Sequence, residues 1–331
     1  MSKLFDFEKP IAEMEKTITE LENAGKNQSP EISDRIEAMK RQCREKRKTV
    51  FANLSGWQTV QVARHPDRPK FEHLIPLLFD DFIELHGDRL IGDDRALIGG
   101  FASIGGERIM VAGNNKGTTT EDNIERNFGY ASPEGFRKVL RLMKLAEKFS
   151  LPMVTIIDIP AAYPGKEAEE RGVAEAIAHN IYELMRIEIP VISVVIGEGG
   201  SGGALASGGV GDVILMLSHA IYSIAPPEAA SSILFRDAAH APQAADALKL
   251  RAADLKAFDV ADEVIEEPPG GAHRDYEATA AALKDAIVRN IRMLSELPVK
   301  KLLARRFEKY TTIGSFTSDE TFTNGRAQTS W

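Results

Sequence analysis

The sequence predicts a layered α/β fold, and three observations support that prediction. From residue 153 onward, short apolar segments typical of buried strands alternate with segments of helical periodicity. Before them, residues 96–103 and 108–112 are typical of a β-hairpin that turns at Gly105-Gly106. The chain has 331 residues, of which 43% are hydrophobic, so it can bury a substantial core.

The individual elements follow in chain order. Apolar residues at helical spacing predict a helix over 7–21, and Pro30 can take the first helical position of a second one. Residues 64–69 are typical of a proline-bounded linker, and a helix is predicted over 71–85. The remaining predicted elements are helix 133–149, strand 153–157, helix 167–186, strand 191–196, strands 213–217 and 220–224, a helix starting at Pro226-Pro227, helices 241–250 and 252–257, strand 262–265, and a loose polar tail over 311–331.

Composition and charge exclude several classes of protein. The net charge of −8 argues against general nucleic-acid binding. Cys43 is the only cysteine, so we expect no intrachain disulfide and no cysteine-based zinc site, as is typical of a reducing cytoplasm. The segment MSKLFDFEKP lacks the apolar region of a secretory signal. No apolar run is as long as the roughly 18 residues that a membrane-spanning helix needs. We therefore expect a cytoplasmic protein.

The segment GEGGSGGALA, residues 197–206, is the most informative motif. It follows the apolar run 191–196 and precedes a predicted helix that begins near Ala204. Glycines at such a turn let a ligand approach the backbone closely, and the first N–H groups of the helix have no partner within it. The motif therefore predicts that backbone amides stabilise a negative charge.

Two enzyme motifs overlap this turn. Its glycines fit the dinucleotide fingerprint G-x-G-x-x-G, but no acidic residue occurs over 213–227, where that motif needs one. Residues 199–203 also fit the hydrolase motif G-x-S-x-G, with Ser201 as nucleophile. The partners required by a hydrolase follow in the expected order, with Asp237 or Asp262 before His273. An oxyanion hole without a nucleophile, or a tight turn needed only for packing, are the other interpretations.

A series of motifs along the chain resembles the alpha subunit of bacterial acetyl-coenzyme A carboxylase carboxyltransferase. The motifs occur in the family's order and cover about residues 1–295. They are FEKPI, ARHPDRP, HGDR, RNFG, PEGFRK, RLMKLAEKF, AYPG, AEERG, VIGEGGSGGALA, ILFRDA, ADLKAFDVADEVIEEP and GGAHRD.

The resemblance implies a crotonase-like fold, a spiral of ββα units, with an N-terminal helical extension. We accordingly expect a helical extension over 1–60, a crotonase-like carboxyltransferase domain over 61–295, and a C-terminal helix with a polar tail over 296–331. It also implies carboxyl transfer from carboxybiotin to acetyl-CoA, which gives malonyl-CoA in the first step of fatty acid synthesis.

The same resemblance implies the partners. Carboxybiotin would arrive on a separate biotin carboxyl carrier protein, charged by biotin carboxylase, so no cofactor is expected to be covalently bound to this chain. A beta subunit would hold acetyl-CoA in an α2β2 assembly. No membrane, specific nucleic acid or metal is expected. The alternatives are a serine hydrolase that uses Ser201 and a divergent, non-catalytic subunit of the same fold.

The family's site maps onto this chain residue by residue. The amides of Gly202 and Gly203 would form the oxyanion hole that faces the ureido oxygen of biotin. The carboxybiotin pocket would be lined by Gly199, Gly200, Ser201, Ala162, Tyr163, Pro164 and Lys116.

The chain departs from the family pattern at four places beside this site. Ala161 and Ala229 stand where the family usually has glycine, and a Cβ there restricts φ and narrows the cleft. The loop Asn114-Asn115-Lys116-Gly117 is followed by Thr118, where a basic residue is usual. The segment 207–211 is one residue longer than usual.

Overall fold

A mixed sheet of eight strands forms the centre of the computed structural model, which describes residues 4–24, 30–318 and 321–324. The first three strands pair antiparallel, whereas β3, β4, β5, β6 and β8 follow one another in parallel. β7 pairs with the carboxyl end of β5. The strands are β1 (Asp80–Glu84), β2 (Leu97–Ile104), β3 (Glu107–Asn114), β4 (Met153–Ile159), β5 (Val191–Gly200), β6 (Val213–Leu217), β7 (Ile221–Ser223) and β8 (Glu263–Ile265).

Helices pack around this sheet. Every residue of β4 and β5 is buried, as expected for parallel strands covered on both faces. The helices are α1 (Lys9–Ala24), α2 (Pro30–Ala52), α3 (Gly56–Ala63), α4 (Phe71–Leu78), α5 (Thr120–Glu125), α6 (Pro133–Lys148), α7 (Lys166–Glu170), α8 (Val173–Arg186), α9 (Ser201–Ala206), α10 (Pro227–Phe235), α11 (Ala241–Ala247), α12 (Ala252–Ala257), α13 (Tyr276–Ser295) and α14 (Val299–Thr312).

The two N-terminal helices have a small core of their own. Ile11 and Ile18 of α1 pack against Ile36, Cys43 and Phe51 of α2, separately from the main core around the sheet. The prediction of a helical pair is confirmed, and α2 begins at Pro30 as predicted.

The predicted α/β layering and the hairpin of β2 and β3 are confirmed, but the helix predicted over 71–85 is wrong. α4 ends at Leu78, and β1 then pairs antiparallel with β2, with Asp80 opposite Ser103 and Glu84 opposite Gly100. A short apolar pattern suits a helix turn or an edge strand equally, and the neighbouring β2 selects the strand.

Three further predicted boundaries are corrected. The helix predicted over 167–186 is broken by Gly172, whose φ of +77° ends the helical run. β5 continues to Gly200 because β7 pairs with its last residues, so α9 begins at Ser201 instead of near Ala204. In the predicted loose tail, α14 continues to Thr312, and β9 (Ser315–Ser318) pairs with β10 (Thr321–Asn324). Residues 319–320 and 325–331 lie outside the described part.

Candidate active site

The glycine turn lies where β5 passes into the six-residue helix α9. A Cβ on Gly200 would lie 1.8 Å from the carbonyl oxygen of Pro160, and one on Gly203 would lie 2.6 Å from the backbone nitrogen of Ala162. Close backbone approach therefore requires glycine at both positions. Gly202 is less confined, since its Cβ would meet only Ile177, at 3.4 Å.

The amides of Gly202 and Gly203 belong to the first turn of α9. A first-turn N–H has no carbonyl within its own helix to accept from it. Within the described residues, no hydrogen bond outside the helix uses either amide. The turn thus offers two neighbouring backbone donors, of which Gly203 is buried and Gly202 is partly exposed.

A charged cleft of about 780 Å³ adjoins this turn. Two residues link the cleft to the turn. Pro160, which packs against Gly200, and Glu198, which precedes the turn in β5, both line the cleft at the carboxyl ends of β4 and β5. In parallel sheets this edge is where ligands usually bind. The other residues around the cleft come from the segment after α3, the loop after β3, the segment between α5 and α6, the end of β4 and the start of α10. They include Arg64, His65, Arg68, Lys70, Lys116, Phe128, Tyr130, Asp158, Glu228 and Ala229.

A chain of ion pairs crosses the cleft. Lys116 Nζ donates to Asp158 Oδ1 at 2.6 Å and to Glu198 Oε2 at 3.0 Å. Arg64 donates to the other oxygen of Glu198 at 2.6 Å and to Glu228 at 2.5 Å. Each acid that borders the turn is therefore held by at least one cation.

These contacts fix the charges of the network. Burial by itself would raise the pKa of Glu198, but Lys116 and Arg64 outweigh it and hold that pKa below its usual value. Burial would likewise lower the pKa of Lys116, and the two carboxylates Asp158 and Glu198 hold it above its usual value. Glu198 is therefore an ionised, fully engaged carboxylate and a poor proton acceptor.

The segment 64–69, predicted to be a linker, is part of the site. Arg68 is buried and donates to both carboxylate oxygens of Glu267, at 2.6 and 3.0 Å, and to the carbonyl of Ile196 in β5 at 2.7 Å. Sequence reasoning missed Arg64, Arg68, Asp158 and Glu228. The signal was present in ARHPDRP, because two arginines and a histidine bounded by prolines need partners if they are buried.

The structure separates the residues assigned to the carboxybiotin pocket. Gly199, Gly200 and Ser201 lie in the turn, and Ala162 contacts the turn at Gly203. Lys116 lies in the charged cleft. Tyr163 lines a neighbouring pocket of about 430 Å³ with Glu134 and Arg171, and Pro164 is exposed.

The two alanines that replace family glycines fit without strain. Neither Ala161 nor Ala229 has a positive φ, so the expected backbone restriction does not arise. Ala229 does line the cleft, where the sequence analysis expected its Cβ to narrow the space.

The residues of the hydrolase alternative do not meet. Asp237 caps a short helical turn by accepting from Ala239, and Asp262 accepts from the amide of Ile214 and pairs with Lys309. His273 stacks on His65, with ring centroids 4.0 Å apart. No hydrogen bond among the described residues joins Ser201 to a histidine. Ser201 therefore lacks the base that a nucleophile needs.

Neither a metal cluster nor a membrane-spanning helix occurs among the described residues. Histidine, cysteine and carboxylate side chains form no group of three or more that could hold a metal ion. None of the described helices combines the length and apolar character needed to cross a membrane.

Comparisons with known proteins place this geometry in a family. The family described as acetyl co-enzyme A carboxylase carboxyltransferase-like matches residues 4–314. The chain is 49% identical over 312 residues to the acetyl-coenzyme A carboxylase carboxyl transferase subunit alpha of Geobacter metallireducens, covering 94% of this chain and 97% of that one. It is 47% identical over 320 residues to the same subunit of Anoxybacillus flavithermus, covering 97% and 98%.

Solved structures show the same fold at low identity. A Pseudomonas malonate decarboxylase hetero-tetramer in complex with coenzyme A aligns with a TM-score of 0.54 at 16% identity, covering 66% of this chain and 86% of that chain. Transcarboxylase 12S aligns with a TM-score of 0.52 at 20% identity, covering 67% of this chain and 42% of that chain. The fold is crotonase-like, as the sequence resemblance predicted.

Proposed function

The chain belongs to the acetyl-CoA carboxylase carboxyltransferase alpha family, and from this premise we propose that it forms the carboxybiotin side of a two-subunit carboxyltransferase that makes malonyl-CoA. One observation carries the proposal. Gly202 and Gly203 present two backbone N–H donors without protein partners among the described residues, beside a cleft in which Lys116 and Arg64 are already paired with carboxylates. Such a site favours charge that develops on a neutral substrate oxygen.

The chemistry that these amides support is the departure of CO₂ from carboxybiotin. When the N–CO₂ bond breaks, the electron pair stays on biotin and its charge is delocalised onto the ureido oxygen. Donors already aimed at that oxygen stabilise this anion, and removing one donor of this kind typically costs about 3 kcal/mol of the barrier.

The proton then moves between the two substrates. The biotin anion accepts a proton from the methyl group of acetyl-CoA, and the resulting carbanion attacks CO₂ to form malonyl-CoA. No protein base is needed, which agrees with the state of Glu198, whose two oxygens are occupied by Lys116 and Arg64. Carboxybiotin is a substrate here, delivered by a separate carrier protein.

The surface around the cleft supports a beta partner. Phe128 lines the cleft and is 56% exposed, and Ile224 and Ile233, which flank the cleft residues Pro226, Glu228 and Ala229 in sequence, are 78% and 76% exposed. Exposed apolar groups in this number are typical of a protein interface. We call the set Ile124, Phe128, Ile224, Ile233, Leu234 and Phe235 the apolar rim. A beta subunit seated on this rim would close the cleft and bring acetyl-CoA to the turn.

The first experiment tests the division of labour. The purified chain, a beta chain and the mixture of both are assayed for malonyl-CoA formation from acetyl-CoA and a carboxylated carrier protein. We expect turnover only from the mixture. Turnover by this chain alone would contradict the two-subunit proposal, and its absence from a properly assembled complex would favour a non-catalytic subunit.

The second experiment tests the turn itself. In a Gly203→Val variant, the Cβ would collide with the backbone at Ala162, so both amides should move. We expect turnover of the assembled complex to fall about a hundredfold, with the KM for acetyl-CoA nearly unchanged. Gly92→Ala is the control, because Gly92 has ordinary φ and no atom lies within 4 Å of its added Cβ. Wild-type turnover in an assembled Gly203→Val complex would refute the role of the turn.

The third experiment separates this proposal from the hydrolase. Ser201→Ala should keep most of the carboxyl-transfer activity, because Ser201 has no base within hydrogen-bond reach among the described residues. An activated fluorophosphonate should leave the wild-type serine unmodified, as mass spectrometry of the tryptic peptides would show. Stoichiometric labelling at Ser201 would reinstate the nucleophile.

A further inference from the structure

Two segments that depart from the family pattern, the loop after β3 and the segment 207–211, contact each other next to the glycine turn. Asn114 ends β3, in the loop that carries Lys116, and Ser207 follows α9 at the start of the longer segment. Both side chains are buried, and Asn114 Nδ2 donates to Ser207 Oγ at 3.1 Å. The loop after β3 and the longer segment therefore share one buried hydrogen bond.

Ser207 passes this contact on to the turn. Its hydroxyl donates to the carbonyl oxygen of Gly203 at 2.8 Å, and its backbone N–H donates to the same oxygen at 3.0 Å. Because Asn114 supplies a donor, Ser207 Oγ accepts from it and its own proton is directed to Gly203. Glycine has the widest freedom in φ and ψ, because it has no side chain to restrain its backbone. The two hydrogen bonds to the carbonyl of Gly203 therefore remove part of that freedom.

Asn114 also reaches the other end of the turn. Its Oδ1 accepts from the backbone N–H of Asp158 at 3.2 Å, and Asp158 Oδ1 accepts from the backbone N–H of Glu198 at 2.9 Å. One side-chain amide thus links the last residues of β5 to the end of α9. An amide suits this position because it is a donor on one side and an acceptor on the other.

The longer segment itself is held firmly. The carbonyl of Gly208 accepts from Thr155 Oγ1 at 2.7 Å and from Ser193 Oγ at 2.5 Å, and that of Gly209 accepts from Tyr222 OH at 2.9 Å. The backbone directly after Ser207 is therefore held in place by hydrogen bonds. Asn114 connects this segment, through Asp158, to the backbone of Glu198.

We propose that Asn114 is a positioning residue for carboxyl transfer. Through Ser207 it fixes the carbonyl of Gly203, and thereby the backbone conformation that directs the Gly203 N–H toward the developing biotin anion. The inference rests on the proposed function of the turn. It assigns to Asn114 no contact with either substrate. Groups that orient a reacting centre from outside typically change activity by about tenfold or more when removed.

The test uses two variants in the assembled complex. Asn114→Asp keeps the size and the acceptor toward Asp158, but its second oxygen draws the Ser207 proton away from Gly203. Ser207→Ala removes the hydroxyl. We expect each variant to lower kcat about tenfold with the KM for acetyl-CoA unchanged, and the double variant to be little worse than either single one.

A control shows whether the loss is merely structural. Thr279 is buried, and its hydroxyl donates to the carbonyl four residues earlier, that of Asp275, at 2.7 Å, as Ser207 does to Gly203. Thr279→Val should lower thermal stability to a similar degree and leave kcat unchanged. Ser207→Thr, which restores a hydroxyl, should recover part of the kcat lost in Ser207→Ala.

A second readout does not depend on turnover. Hydrogen–deuterium exchange, followed by mass spectrometry on peptides that span 198–207, should be faster in Asn114→Asp and unchanged in Thr279→Val. Wild-type kcat in both Asn114→Asp and Ser207→Ala, additive losses in the double variant, or unchanged exchange over 198–207 would each overturn the inference. A wild-type complex without carboxyl transfer would instead refute the proposed function, and the inference with it.

Discussion

Two buried ion networks lie at opposite edges of the parallel sheet and are built differently. At the amino ends of β5 and β6, Arg306 and Asp212 are both completely buried. All five N–H donors of Arg306 are occupied, two by Asp212 and three by the carbonyls of Leu184, Ile187 and Ile189. Nothing in this network remains for a ligand.

At the carboxyl ends, Lys116, Arg64 and Glu198 form a network that faces the cleft. Their side chains are 17%, 30% and 9% exposed, and the two cations share three carboxylates, those of Asp158, Glu198 and Glu228, without a closed shell of carbonyls. The difference shows that a buried ion pair by itself does not mark a functional site. The distinguishing feature is whether the network borders open space and the free amides of a turn.

The largest expected effect breaks the closed network. Arg306→Leu leaves Asp212 buried without its cation, so the free energy of unfolding should fall by about 3–5 kcal/mol in chemical denaturation. Arg306→Leu combined with Asp212→Asn should recover part of that loss, because the buried charge is gone while an oxygen remains for the amide of Val191. Turnover of the folded complex should stay near wild type. A small stability loss would contradict the assignment of this network to folding.

The next effect breaks the open network. Lys116→Met leaves Asp158, which accepts from the start of the turn, without its cation. We expect kcat to fall about tenfold, with a smaller loss of stability than in Arg306→Leu. Lys144→Met, which breaks a surface pair with Glu183, is the control and should change neither quantity. Steady-state kinetics and thermal melts on the same preparations decide between the two outcomes.

The pH dependence of stability tests a buried group beside the cleft, His273, which stacks on His65. Burial, helped by His65 and Arg274, lowers the pKa of His273 to about 3. An unfolded histidine titrates near pKa 6.5, so only the unfolded state gains a proton between that pH and about 3. Stability should therefore fall as pH drops from about 7 to about 5, by up to about 1 kcal/mol per pH unit. His273→Phe keeps a ring against His65 and should flatten this dependence, and an unchanged slope would contradict the assignment.

The smallest effect concerns a pair outside both networks. Arg289 donates to both oxygens of Glu263 at 2.5 and 2.7 Å, but the two side chains are 59% and 36% exposed. Arg289→Ala should lower the free energy of unfolding by less than about 1 kcal/mol, and added salt should reduce even that difference. A loss as large as that of Arg306→Leu would show that burial is not what separates the networks.

Local patterns predicted much of the fold. The apolar runs of β4, β5 and β6 and the glycine turn are determined within a few residues of the chain, because periodicity and glycine backbone freedom act locally. The same holds for the hairpin of β2 and β3, where Gly105-Gly106 takes positive φ. Motif order added the family and, with it, the assignment of Gly202 and Gly203, which remains a prediction.

The tertiary structure decided what the local pattern left open. β1 became a strand only because β2 offered an edge. Arg64 belongs to the site only because the fold brings Glu198 and Glu228 to it from 134 and 164 residues away. Asn114 reaches Ser207 across 93 residues in the same way. A backbone pattern depends on near neighbours in sequence, whereas a buried polar side chain must satisfy its hydrogen bonds with whatever the completed fold places within about 3 Å.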